Sequence, residues 1–206
     1  MYIAVDADGN VTIRSPLLLS IFKIERILAD KAEWIQKQQV IIRSNGIQKH
    51  KYSEGESFFF LGEAYPLVLN KSQSPAFLFD DCFKLDWDSR NQAEDLIVGW
   101  YRKQARKFLS ERLQQLAEIH NFNNYKFRLT RARTRWGSCS SKRNISISWR
   151  LVMAPPYIID YVLVHELVHL EIHNHSKEFW RRLERIMPDY QKRRTWLKKN
   201  SANLKV

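Results

Sequence analysis

His165-Glu166-Leu167-Val168-His169-Leu170-Glu171-Ile172-His173-Asn174-His175 holds four of the six histidines in this chain. Its first five letters read H-E-x-x-H. On an α-helix, residues four apart share a face one turn apart. His165 and His169 can therefore aim their imidazoles at one ion, as zinc requires of nitrogen ligands. Glu166, beside the first of them, is placed to hold a metal-bound water and take its proton. Upstream, Tyr157 to Val164 is almost wholly apolar, and apolar letters continue at Leu167, Val168 and Leu170. That pattern predicts a helix buried over most of its surface. Two histidines and a glutamate are costly to bury there unless a metal or hydrogen bonds satisfy them. The stretch predicts a metal hydrolase, with a zinc peptidase as the leading expectation.

The third ligand follows from geometry. On a continued helix His173 would share the face of His165 but lie about 12 Å along the axis, too far for one ion. A turn near His173-Asn174 removes the difficulty, because Asn tolerates the left-handed conformation that ends helices. The chain then presents His175. Ser176 supplies an N-cap for a following helix marked by Phe179, Leu183, Ile186 and Met187. His175 is the favoured third ligand, with His173, Glu178 and Glu184 as alternatives. If it is not a ligand, His173 stands beside the ligands, on the substrate side or in solvent. Three ligands leave a corner for water, as catalytic zinc does; a fourth from Cys139 would make the site structural.

Composition narrows the class. A chain of 206 residues with 44% hydrophobic and 27% charged residues is globular and large enough for a sizeable core. Its start, MYIAVDADGN, lacks the basic and apolar regions of a signal peptide, and no apolar run approaches the roughly eighteen residues of a membrane span. Cys82 and Cys139 are too few for a disulfide scaffold, so a reducing, cytoplasmic setting is expected. The net charge of +12 is uneven. Residues 126–150 carry eight Lys or Arg and no Asp or Glu, and the stretch from Ser176 onward carries ten basic against three acidic residues. Such patches suit phosphates or acidic peptides, or simply a solvated surface.

Periodicity lays out the rest. Tyr2–Val5 and Val11–Arg14 flank Asp6-Ala7-Asp8-Gly9-Asn10 as a hairpin, which Pro16 ends. Ile24, Leu28, Ala32 and Ile35 predict one helix from Ile21 to Gln39. Ser57–Leu61, Pro66–Leu69, Phe77–Phe79 and Phe83–Trp87 read as strands of a meander whose aromatic residues form sheet core. A long amphipathic helix spans Gln92 to His120. Tyr125–Thr134 reads as a strand that either ends near Thr130 or switches faces through a bulge. Asn144–Trp149 alternates as another strand, and Pro155-Pro156 opens the metal-bearing helix. Asp160 points almost opposite His169 and reads as an early-turn carboxylate favoured by the helix dipole.

Several of these strings resemble the YgjP-like metallopeptidases. They are Arg135-Trp136-Gly137-Ser138-Cys139-Ser140, the Ile145/Ile147 strand, Ala154-Pro155, Ile159-Asp160-Tyr161-Val162 and His165-Glu166-Leu167-Val168-His169. Further on come Asn174-His175-Ser176, Phe179-Trp180, Pro188-Asp189-Tyr190 and Trp196-Leu197. Lys31-Ala32-Glu33-Trp34-Ile35 and Gly55-Glu56-Ser57 to Leu61-Gly62 extend the likeness over nearly the whole chain. A glycine frequent in that family after R-W-G-S-C-S is absent, Lys142-Arg143-Asn144 standing there, where Asn can serve the turn.

The resemblance implies an α+β, zincin-like fold in which a small mixed or antiparallel sheet lies over an active-site helix. An N-terminal β-rich lobe with one helix (1–90) would precede the catalytic half (91–206), the two forming one continuous family domain. It implies one zinc ion on His165, His169 and His175, with Glu166 as catalytic acid/base, and kinship with SprT-like proteases, some of which act on DNA-bound proteins. By analogy with zincins, an edge strand near Ile145–Trp149 would align a peptide or protein substrate. Tyr190, His173 and Arg135 are candidates to stabilise the oxyanion. The competing readings are a DNA-associated protease docking nucleic acid through Arg131 and Arg133, and a non-catalytic zinc-stabilised interaction domain. Salt-dependent DNA affinity weakened by charge reversal at those arginines would select the first. Four protein ligands including Cys139 would select the second.

Overall fold

The computed structural model describes residues 2–5, 10–16, 19–44, 50–72 and 74–204. Two compact units emerge, Met1–Lys49 and His50–Val206. In the first unit, β1 (Tyr2–Val5) pairs antiparallel with β2 (Val11–Arg14), Tyr2 opposite Arg14 and Val5 opposite Val11. Most of the expected turn, Asp6 to Gly9, lies outside the described residues. The single helix expected from Ile21 to Gln39 is two helices, α1 (Ile21–Asp30) and α2 (Ala32–Ser44). They break at Lys31, which leaves helical geometry (φ −103°, ψ 3°) while its N–H still donates to the Ile27 and Leu28 carbonyls. A one-residue break barely disturbs a 3.6-residue period, so the spacing ran straight through it.

The second unit opens with an aromatic sheet of β3 (Ser57–Phe60), β4 (Glu63–Asn70), β5 (Phe77–Phe79) and β6 (Phe83–Asp86). Their order is β3-β4-β6-β5, with β4 and β6 parallel, and not the expected meander. The parallel register sets Leu67 against Phe83 and Leu69 against Leu85, and Leu67, Phe83 and Leu85 are fully buried. The short β5 takes the outer place, antiparallel to β6. Above this sheet runs α3 (Ala93–Ile119), whose buried stripe is Ile97, Tyr101, Ala105, Leu109, Leu113 and Leu116. The Tyr101 ring lies 5.7 Å from Phe83 and 5.9 Å from Trp149, and its hydroxyl donates to the Phe59 carbonyl at 2.6 Å. The aromatic crowding is sheet core, as expected, with Phe58 and Phe83 buried and Phe60, Phe77 and Phe79 packed against them.

A second sheet joins β7 (Lys126–Thr130), β8 (Gly137–Cys139) and β9 (Asn144–Ser148) in the order β7-β9-β8. Its β7/β9 pair is parallel and its β8/β9 pair antiparallel. β7 stops at Thr130, so Arg131, Arg133 and Arg135 follow the strand and no bulge is needed. β9 is the central strand, which removes it as the edge expected near Ile145–Trp149; its two flanks are taken by β7 and β8. After a buried 3-10 turn, Trp149–Met153, come α4 (Pro156–Val168), α5 (Lys177–Ile186) and α6 (Tyr190–Asn200).

The turn between β3 and β4 latches onto the start of α4. Leu61 N–H donates to the Val152 carbonyl at 2.7 Å and Gly62 N–H to that of Met153 at 3.3 Å. Gly62 has φ +89°, and a Cβ there would lie 2.8 Å from Pro155, so only glycine fits the approach. Asp160, assigned above to the helix dipole, instead binds the Arg112 guanidinium as a fork, Nε to Oδ1 at 2.6 Å and Nη2 to Oδ2 at 2.8 Å. A half-buried carboxylate finds more in a charged fork from α3 than in a helix end. Among the described residues no helix is long and apolar enough to cross a membrane.

Candidate active site

α4 is buried over most of its surface, from Ile158 and Ile159 to Leu167 and Val168, as the apolar run upstream of the motif predicted. His165 and Glu166 sit in its last turn, and His169 is its cap residue. The turn that follows comes earlier than expected, directly after the helix, with Leu170 N–H on the Leu167 carbonyl and Glu171 N–H on that of Val168. Asn174 does not take the left-handed conformation. Its side chain shapes the loop instead, Oδ1 accepting from Ser176 N–H at 3.1 Å. Ser176 in turn caps α5, its hydroxyl accepting from Phe179 N–H.

One ligand atom from each of His165, His169 and His175 lies within 4.8 Å of the others. Cys139, His173, Glu178 and Glu184 are not in that group. Nε2 of His165 and Nε2 of His175 are 3.0 Å apart; tetrahedral zinc with bonds of about 2.0–2.1 Å would set two nitrogens roughly 3.3 Å apart. His169 donates from Nδ1 to the Ile172 carbonyl at 2.9 Å, which leaves Nε2 unprotonated to face an ion. Phe179 floors the three rings, its centroid 4.5–4.9 Å from each.

Burial shapes the charges. It holds His165 down at about 3, helped by neighbouring His169, His175 and Arg194, and also lowers His169. Neutral imidazoles are the ligand form. Burial likewise pushes the Glu166 carboxyl up to about 8, opposed by Arg135. Its Oε2 and the Nδ1 of His165 are buried without a hydrogen-bond partner. Such orphaned polar atoms are costly unless water, an ion or a substrate meets them. The donor set therefore fits a divalent metal: three converging imidazole nitrogens beside an unpaired carboxyl group. Burial and then the Glu166 carboxylate push the Cys139 thiol up to about 11, away from the thiolate that binds metals.

The remaining candidates fall in different places. His173 is exposed. Arg135 is exposed yet close enough to Glu166 to oppose its rise. Tyr190 is buried, with its ring stacked on Trp180 at 5.5 Å. Arg131 and Arg133 are exposed beyond β7, and the Arg131 carbonyl accepts from Arg150 Nη1.

Four residues with no assigned part in the sequence reading prove close. Tyr161, four residues before His165, sits 5.9 Å from its ring, and the same i, i+4 spacing that paired the histidines would have found it. Trp180 and Arg194 border His175 and His165, and no periodicity marks them. Arg143, and not Asn144, takes the left-handed position of its turn (φ 58°). Its guanidinium ties together the carbonyls of Asn123, Asn124 and Leu170 and so holds the chain just after His169.

No curated protein matches the chain significantly. Among solved structures, the metallopeptidase zymogen of Pyrococcus abyssi abylysin is similar over 45% of this chain and 94% of that one, with a TM-score of 0.41 and 21% identity. The family described as YgjP-like, metallopeptidase domain, matches residues 1–200, a span that takes in the first compact unit, nearly all of the second and the whole histidine cluster. The chain belongs to the YgjP-like metallopeptidase family.

Proposed function

We propose that this chain is a zinc-dependent endopeptidase, in which His165, His169 and His175 hold one ion and Glu166 is the acid/base. The observation that carries this reading is the convergence of the three imidazoles within 4.8 Å, next in sequence to a buried, unpaired carboxylate. Zinc held there would lower the pKa of a bound water to about 7 and polarise the scissile carbonyl. Glu166 takes a proton from the attacking water and passes it to the leaving amine. Arg135, whose charge is felt at Glu166, is the residue we assign to meet the negative charge that develops on the scissile carbonyl oxygen. β8 flanks the sheet beside Glu166, and an extended peptide added along it would bring its backbone to the site. That role moves from β9, where the analogy with zincins put it, to its outer neighbour.

The test compares the parent with Glu166→Gln for metal content and for cleavage of an unfolded protein. The variant is expected to keep its zinc and lose hydrolysis. Full activity in the variant would remove Glu166 from the mechanism, and a parent that takes up no metal would remove zinc.

A further inference from the structure

His165 is carried on α4 and buried there, its Nδ1 without a partner, and His169 is held by its bond to the Ile172 carbonyl. His175 has neither support. It stands in the exposed loop before α5, and among the described residues the only polar contact of its ring is Nε2 to Nε2 of His165, the two atoms that would face the ion. A histidine ligand ordinarily donates its second ring nitrogen to a carboxylate or carbonyl that fixes its orientation. No such acceptor meets His175 here. Its ring is instead stacked on Trp180, 5.5 Å between centroids and 29° between planes. Trp180 is itself stacked on buried Tyr190 at 5.5 Å and 18°, and carries the Arg194 guanidinium 4.8 Å from its ring centre. α5 and α6 thus meet in an aromatic ladder whose outermost rung is the imidazole.

We infer that Trp180 is the positioning residue of this metal centre: its indole, backed by Tyr190, orients His175 by ring stacking in place of the missing hydrogen bond. The inference rests on the zinc reading above. It assigns Trp180 and Tyr190 no contact with substrate. Offset aromatic stacking restricts the tilt of a ring while leaving its edge nitrogens free, which is what a ligand on an exposed loop requires. Tyr190 then acts through Trp180.

The test is a cobalt(II) and zinc titration, against a competing chelator, of the parent, Trp180→Phe and Trp180→Leu, with melting curves of each in EDTA. Phenylalanine keeps an aromatic face; leucine fills space without one. Trp180→Leu is expected to bind either ion about 10–100-fold more weakly, the usual effect of losing a group that orients a ligand. Trp180→Phe is expected to bind as the parent does, with the same cobalt absorption bands, while both variants melt alike without metal. Equal affinity in Phe and Leu variants, whether both strong or both weak, would overturn the assignment, as would affinity that merely follows the melting temperature. A parent that binds neither ion would overturn the zinc reading itself, and is distinguished by needing no variant to see it.

Discussion

A Cβ built on Gly137 would come within 2.5 Å of Glu166 Oε1 and within 2.8 Å of its carboxyl carbon. The flanking strand β8 therefore runs its backbone directly against the proposed acid/base, and only a residue without a side chain allows that approach. This gives R-W-G-S-C a physical meaning at its third letter.

Gly137→Ala is expected to displace the carboxylate while leaving the histidines in place. A shift of about 1 Å at a reacting group can cost roughly 100-fold in rate, so kcat should fall by that order with zinc content unchanged. Steady-state kinetics alongside metal analysis checks it; parent-like kcat would show that Glu166 yields without consequence.

Protonation of Glu166 should leave a mark on the metal-free chain. Burial raises its folded-state pKa from 4.5 to about 8, so between those values the folded state holds a proton that the unfolded state has released. The favourable contribution is present below about pH 4.5 and is lost as pH rises through about 8. Glu166→Gln cannot ionise. Its stability relative to the parent should therefore climb from pH 4.5 to 8, then level off. His165, held down at about 3, has the opposite slope in both proteins and cancels in the difference. Melting in EDTA across this range measures it, and a flat difference would exclude the buried, protonated carboxyl.

The two loop histidines should separate cleanly. His175→Ala is expected to lose more zinc affinity than the roughly 10–100-fold carried by outer partners, whereas His173→Ala keeps parent affinity. Chelator competition on both variants decides the third ligand.

Arg112→Ala leaves the largely buried Asp160 carboxylate without its guanidinium partner. Charged hydrogen bonds of this kind contribute about 1–3 kcal/mol, and urea unfolding should show a loss in that range with zinc affinity retained. The fork is structural, so cleavage per folded molecule should not change.

Much of this was legible in the letters because each signal was local. The apolar run that opens α4, the α3 stripe, the β9 alternation and the Ser176 cap depend on near neighbours, and the structure has each within a residue or two of its expected place, although α4 ends at Val168, ahead of the turn expected near His173-Asn174. What escaped was set by distant partners. The parallel β4/β6 pairing is decided by burying Phe83 and Leu85 against Leu67, a choice that no strand pattern contains. β8, three residues long and led by Gly137, has too little alternation to announce itself. Asp160 was misread because its partner stands 48 residues away. The histidine spacing pointed to His165 and His169 directly, but Trp180 and Arg194 become neighbours of that cluster only once α5 and α6 have folded back.

The pair of main-chain bonds from Leu61 and Gly62 to the residues just ahead of α4 bears on how this polypeptide can be cut. A fragment beginning at residue 91 would strip two carbonyls, Val152 and Met153, of their donors and bare the apolar flank of Tyr101 and Trp149. Expressed alone, it should aggregate or stay molten, whereas one beginning at residue 50 retains every strand that braces the helix carrying the histidines. The aromatic sheet is thus scaffolding for catalysis, inseparable from it in any truncation.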